Sequence, residues 1–349
     1  MGEVSNYSLN QYFSQKITIH QDAKQKALAA WQPPVQKILK FVEERNTYYK
    51  FDRLLMTGSY YERVKVKNPD EFDLMIEIDK EQLLKQQPGA AVYPENPPLG
   101  YSLLRGVSHG WTVFIDATAI KSTISGLVNQ AVQNYQYGSF ISQKLNGPAV
   151  TLKIDNNGKN YAVDLTFAFK VNEWPSAANE WARRCRRGWP SCDLIEEIVK
   201  DGCHVVAKKP EIFQGTSKGS FCWRYSFSTA EKKLFQKGFS GDAGTCMKQV
   251  LRLLKSLRED YMNYMGPLTS YHLKTIVFYE CERFPDPSDW DGSKLAERFK
   301  SAVLLLQYFI KNKYLPHYFI QNLNLFGTPK FNDQVFQSLL NGTEMFLVW

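Results

Sequence analysis

The chain has 349 residues, 44% of them hydrophobic, and a formal net charge of +8, enough apolar content to bury one large or two modest cores and too much for a disordered tail. Residues 1–11 are polar and lack the basic-then-apolar layout of a secretory signal, Asn6 stands where myristoylation of Met1-Gly2 wants Ser or Thr, and the stretch 302–310, the most apolar, is too short to span a bilayer. A soluble, intracellular, cytoplasmic protein with no membrane partner is expected, with no long biased linker and no internal repeat.

Residues 21–49 carry Ala27, Leu28, Trp31, Val35, Ile38, Leu39 and Val42 at helical spacing, interrupted by Pro33-Pro34, which predicts a long kinked helix. Leu54-Leu55-Met56 then runs into Thr57-Gly58-Ser59, a short strand ending in a small-residue turn. In the next strand Phe72, Leu74, Ile76 and Ile78 alternate with Glu71, Asp73, Met75, Glu77 and Asp79, so Glu71 and Asp73 share a face. A third strand, 161–170, puts Asp164 among Ala162, Thr166 and Ala168, leaving open space above it.

After about Thr229 the texture turns helical. Met247, Val250, Leu251, Leu254 and Leu257 form an apolar stripe opposite Lys248, Arg252, Lys255 and Arg258, and 302–308 reads as a buried helix, apolar nearly all round. The fold class expected is α/β and bilobed: a twisted mixed sheet with a long N-terminal helix in residues 1–229, and a helical lobe in 230–349.

The six cysteines, at 185, 192, 203, 222, 246 and 281, form no CxxC pair and read as buried thiols. Cys185, Cys192, Cys203 and His204 would make four zinc ligands, but gaps of six and ten residues match no standard knuckle, so no structural zinc is expected. Residues 181–260 hold 16 Lys/Arg against 9 Asp/Glu, and that window carries +7 of the total. Such an excess is the footprint of a phosphate-rich partner, although a solvated basic helix is the commoner meaning of a single charge run.

Two carboxylates one residue apart on a strand, with a third on another strand, suit phosphoryl transfer: hard Mg²⁺ or Mn²⁺ ions prefer carboxylate oxygens, and a pair of ions activates the attacking hydroxyl and neutralises the leaving pyrophosphate. An isolated Glu-x-Asp is more often the wet face of an edge strand. Here Gly58-Ser59, a turn able to grip triphosphate oxygens, stands twelve residues before Glu71, and Asp164 lies on a strand with small neighbours.

The run Gly58-Ser59-Tyr60-Tyr61-Glu62 followed by Glu71-Phe72-Asp73-Leu74-Met75 resembles the signature of cyclic GMP–AMP synthase and the animal cGAS-like receptors. The resemblance continues in order through Gly147-Pro148-Ala149-Val150-Thr151-Leu152, Trp174-Pro175, Trp223-Arg224-Tyr225-Ser226-Phe227-Ser228, Ser270-Tyr271-His272-Leu273-Lys274-Thr275 and Asn322-Leu323-Asn324-Leu325-Phe326. It implies a nucleotidyltransferase with two metal ions, Mg²⁺ or Mn²⁺, on Glu71, Asp73 and Asp164. It further implies acceptor-base contacts from Thr166, Arg224, Ser226 and Ser228, base stacking on Tyr271, and triphosphate contacts from Lys274 and Ser270. Glu231 is expected near the same pocket, and Lys255 resembles the family's phosphate-gripping helix lysine.

The stretch 236–246, where vertebrate relatives carry a zinc-binding Cys/His insertion, holds a single cysteine, so DNA sensing does not carry over. Arg183, Arg184, Arg186, Arg187, Lys208, Lys209, Lys232, Lys233 and Lys237 read instead as a groove for double-stranded RNA or another polyanion, read by charge and shape. Expected partners are thus nucleoside triphosphates and a polyanionic activator, with a ligand-induced oligomer left open. Two rival readings stand: a template-independent oligonucleotide synthase of the oligoadenylate type, and a catalytically silent binding module.

Overall fold

In a computed structural model of the chain, the residues described are 4–45, 50–79, 96–108, 111–135, 141–216, 219–239 and 245–347. An eight-stranded mixed sheet is built from β1 (Phe51–Thr57), β2 (Glu71–Ile78), β3 (Tyr101–Leu103), β6 (Ile141–Asn146), β7 (Ala149–Asn156), β8 (Lys159–Val171), β9 (Cys203–Ala207) and β10 (Cys222–Ser226). Its order is β1-β2-β8-β9-β10-β3, with β7 joining β6 to β8, while β4 (Arg105–Ser108) and β5 (Trp111–Phe114) pair separately.

β8 is the organiser. It is 13 residues long, so one edge pairs in parallel with β2 while the other pairs first with β7 and then with β9. Its alternation is the reason for its place: Tyr161, Val163, Leu165, Phe167 and Phe169 are all buried on one face. Phe72, Leu74 and Ile76 of β2 join that face, covered by the N-terminal helix Gln21–Arg45 and the helix Ala117–Asn134 through Trp31, Val35, Ile38, Ile120, Ile124 and Val128. Pro33 and Pro34 lie inside the long helix, which ends at Arg45; residues 46–49 of the predicted element lie outside the described residues.

The opposite face of the sheet is free of those helices, and it carries the polar side chains of β2, β8, β9 and β10. One part of it is more buried than the alternation suggests. Glu77 is not on a wet face: it is 2% exposed, its carboxylate accepts or shares a proton with His204 Nε2 at 2.5 Å, and Arg53 stands 3.6 Å away. Hydrogen bonding from His204 holds the Glu77 carboxyl below the ordinary range.

The helical region packs around a second core that includes Leu251, Leu254, Leu257, Leu273, Val277, Phe299, Val303 and Leu306. The N-terminal residues Val4, Leu9 and Ile17 and the helix Cys192–Asp201 also feed this core, so packing does not follow a single cut in the chain. The basic face predicted beside the Met247 stripe is not solvated. Arg252 donates to the carbonyls of Lys65 and Ile17, Lys255 to that of Val64, and Arg258 to those of Leu268 and Gly266. Helix Leu295–Lys311 buries Ala302, Val303 and Leu306 but exposes Leu304 and Tyr308, 56% and 59% respectively. An all-apolar run in a surface helix must leave some of its circumference uncovered. Among the described residues no helix is long and apolar enough to cross a membrane.

Candidate active site

The parallel register of β2 and β8 sets Asp73 directly against Asp164. β1 lies antiparallel on the other edge of β2, bringing Thr57 beside Asp73, and β7 brings Thr151 beside Asp164, to whose Oδ1 its hydroxyl donates. Immediately after β1 the chain turns at Gly58 with φ +73°, and a Cβ there would fall 1.8 Å from Asp73 Oδ2. Only glycine meets both the left-handed backbone and the missing space.

Thr57, Gly58, Asp73 and Asp164 open into a cleft of about 420 Å³ that is also lined by Thr166, Arg224, Ser226, Ser228, Glu231 and Lys274. Ser226 and Ser228 hydroxyls stand 2.9 Å apart. The cleft is lined by carboxylates on β2 and β8 and by basic side chains on β10, just after β9 and on helix Ser270–Arg283. Burial, and then the charges of Asp164, Glu62 and Glu71, push the Asp73 carboxyl up to about 6 against the pull of Lys274. Burial and Glu71 likewise raise Asp164, opposed by the Thr151 hydrogen bond. Among the basic side chains, burial and the neighbouring Arg224 lower the Lys208 ammonium, and burial lowers Arg224 itself.

Crowded, partly dry carboxylates with no salt-bridge partner among the described residues are a setting that a divalent ion relieves, and an all-oxygen donor set suits Mg²⁺ or Mn²⁺. Asp73 and Asp164 fit that description. Glu71 is turned outward, 70% exposed, with Lys65 Nζ donating to its Oε2 at 2.7 Å. Among the described residues no group of three or more His, Cys, Asp or Glu side chains is gathered around one point.

The predicted phosphate contacts are also engaged. Lys274 is clamped between Glu62 at 2.8 Å and Glu231 at 2.6 Å. Burial alone would lower this ammonium, but the two glutamates raise it above its ordinary value. Lys255 is buried, donates to the Val64 carbonyl at 2.9 Å and is pushed down to about 8 by burial and by Lys65 and Lys274. Ser59 lies in the short helix Gly58–Tyr61 and its carbonyl accepts from Val64 N, while Ser270 is exposed at the start of helix Ser270–Arg283. Neither lines the cleft.

Tyr271 is half-buried and shares a hydrogen bond of 2.9 Å with His317 Nε2. His317 Nδ1 accepts from the backbone N–H groups of Phe319 and Ile320, each at 3.1 Å, so the ring proton sits on Nε2 and Nε2 donates to the tyrosine oxygen. Burial, with Arg224 nearby, pushes His317 down to about 3, which keeps the ring neutral.

The predicted basic groove is mostly absorbed by the fold. Arg184 and Arg186 both bond Glu282, Lys232 donates to the Met56 carbonyl, Lys233 pairs with Asp201 and Glu197, and Lys237 pairs with Glu197. Lys209 donates to the Thr216 carbonyl, and Lys208 lines the acidic cleft. Arg183 and Arg187 are exposed and without a partner among the described residues. A window count sums charges without knowing their partners, and Glu282 lies outside the window. The cysteines of the zinc quartet do not gather: Cys185 and Cys192 are exposed, Cys203 is buried, and His204 is held by Glu77. Residues 240–244 of the stretch compared with the zinc insertion lie outside the described residues.

Three neighbours escaped the sequence reading in these roles. Glu62 sits in the quoted signature and is 1% exposed beside Lys274; Lys208 was counted as surface charge; His317 had no motif to mark it.

Residues 60–237 match the Mab-21 protein nucleotidyltransferase domain and residues 246–344 match the Mab-21 protein HhH/H2TH-like domain. Of the cleft residues named above, Thr57 and Gly58 fall just before the first match, Lys274 falls in the second, and the others fall in the first. With a mixed sheet bearing paired aspartates and a helical region closing on them, the chain belongs to the Mab-21 family of nucleotidyltransferase-domain proteins, the family that includes cyclic GMP–AMP synthase.

Proposed function

We propose that this chain is a cytoplasmic, metal-dependent nucleotidyltransferase that joins two nucleoside triphosphates into a cyclic dinucleotide when a polyanion, duplex RNA, switches it on. The observation that carries the reading is the Asp73–Asp164 register pair in a cleft that is also lined by Lys208, Arg224 and Lys274. Two ions held by Asp73, Asp164 and Glu71 would activate the attacking hydroxyl and neutralise the leaving pyrophosphate. Thr166, Arg224, Ser226 and Ser228 orient the acceptor nucleotide, and the neutral His317 fixes the Tyr271 ring for stacking. Lys274, held by Glu62 and Glu231, and Glu71, held by Lys65, describe a resting arrangement. Activation exchanges those ion pairs for phosphate and metal.

Tyr271→Ala and Arg224→Ala are expected to damage base selection and cyclisation more than the first phosphoryl transfer, because they place bases while the acids place metal. Chromatography of labelled product should show a linear dinucleotide accumulating; an unchanged product distribution in both variants would contradict the assignment.

The activator reading rests on charge; of the predicted groove residues that are exposed, Arg183 has no partner among the described residues and Lys237 is paired with Glu197. Changing both to Glu is expected to weaken duplex RNA binding and flatten its salt dependence by roughly one unit of log–log slope per lost phosphate contact. Filter binding across a salt series measures it, and a slope equal to the parent's removes this surface from consideration. The experiment for the reaction itself is incubation with labelled triphosphates and a panel of nucleic acids.

A further inference from the structure

A second cleft, about 670 Å³, shares no lining residue with the acidic one. One wall is the segment Arg186-Arg187, another the end of helix Ser270–Arg283 with Tyr279, Arg283 and Phe284, and the floor includes Phe309 of helix Leu295–Lys311. The proposed transfer chemistry uses none of these residues, although Arg186 and Arg187 belong to the predicted polyanion groove, and this inference does not rest on that reading.

The charge arithmetic of the cleft is uneven. Glu282, its one lining carboxylate, is held by Arg184 and Arg186 together and by the Tyr318 hydroxyl at 2.7 Å. Two guanidiniums thus share one carboxylate. Their positions are fixed: Arg184 lies over the Tyr279 and Tyr318 rings at 5.6 and 5.0 Å, and Arg186 lies over Trp181 at 4.8 Å and donates to the Trp181 carbonyl. Arg187 adds an exposed guanidinium with no partner among the described residues, and Arg283, half exposed, adds another that pairs with Glu280 and lies 5.4 Å from the Phe284 ring centre. A net positive rim of planar forks above aromatic side chains is complementary to a ligand that carries both a flat ring and phosphate oxygens. The volume lies in the range of small-molecule sites.

We propose that this cleft binds a nucleoside phosphate at a site separate from the acidic cleft, with Arg187 and Arg283 on the phosphate and Tyr279, Phe284 and Phe309 against the base. Cys185 lines the same cleft and is exposed, whereas Cys192 is exposed but does not line it. The pair provides a local reporter and an internal control.

The test is the rate of N-ethylmaleimide labelling at each cysteine, read by mass spectrometry on the Asp73→Asn/Asp164→Asn protein in EDTA, with ATP, GTP and inorganic triphosphate as probes. ATP or GTP is expected to slow labelling of Cys185 about fivefold or more while leaving Cys192 unchanged. In Arg187→Glu/Arg283→Glu, both exposed positions, the nucleotide concentration needed should rise about tenfold or more. Phe309→Leu, which keeps the apolar floor without the ring, should also raise it. Absence of protection at millimolar ATP and GTP would overturn the proposal. So would equal protection by inorganic triphosphate, or affinity unchanged in the arginine and Phe309 variants whose melting curves match the parent's.

Discussion

Asp73→Asn and Asp164→Asn should each reduce nucleotide transfer by at least about a thousandfold, some 4 kcal/mol of barrier, without weakening the fold. The two side chains stand opposite each other in the β2–β8 register, and each substitution removes one of the proposed anionic metal ligands. Stability should move the other way for Asp73. Its carboxyl is raised to about 6 by burial and by the neighbouring charges of Asp164, Glu62 and Glu71. The ionised form is therefore disfavoured in the folded state, and a neutral amide of the same shape removes that repulsion. The Asp73→Asn protein is expected to melt at or above the parent temperature near neutral pH. Product assays and thermal melts on the same samples separate chemistry from folding; turnover retained in both variants would mean that the metals sit elsewhere.

Gly58→Ala should be nearly as damaging for a different reason. The added Cβ would stand 1.8 Å from Asp73 Oδ2 and 2.7 Å from Asp73 Cβ, so rotating the carboxylate does not clear it and the strand itself has to shift. A displacement on the scale of an ångström at a reacting centre lowers rate by about a hundredfold. The positive φ adds about 1–2 kcal/mol of backbone strain. Gly126→Ala, in a helix with open space around it, is the control and should leave activity unchanged. If Gly58→Ala loses stability in urea but keeps full turnover, Asp73 is not at the reacting centre.

The sheet was legible in the sequence because β2 and β8 alternate so regularly: once Phe72, Leu74, Val163 and Leu165 are committed to the core, Asp73 and Asp164 must face the other way. The pairing of those two strands was not legible, since register between distant segments leaves no local mark. Period alone also gives no sign that Glu77 is buried, where it bonds His204 of β9, two strands away. The charge of residues 181–260 was legible, but the partners of those charges were not. Arg252, Lys255 and Arg258 spend their donors on backbone carbonyls at the ends of neighbouring segments, and Arg184 and Arg186 on Glu282. Lys274 was singled out as a phosphate ligand, but only coordinates place it between Glu62 and Glu231.

The central claim is tested most directly by incubating the purified chain with all four labelled nucleoside triphosphates and Mg²⁺ or Mn²⁺, with and without duplex RNA, and digesting the product with phosphatase and nucleases. The account predicts an RNA-dependent, phosphatase-resistant dinucleotide that is absent from the Asp73→Asn protein. A ladder of linear oligonucleotides, or no transfer under any metal and polyanion tried, would contradict it.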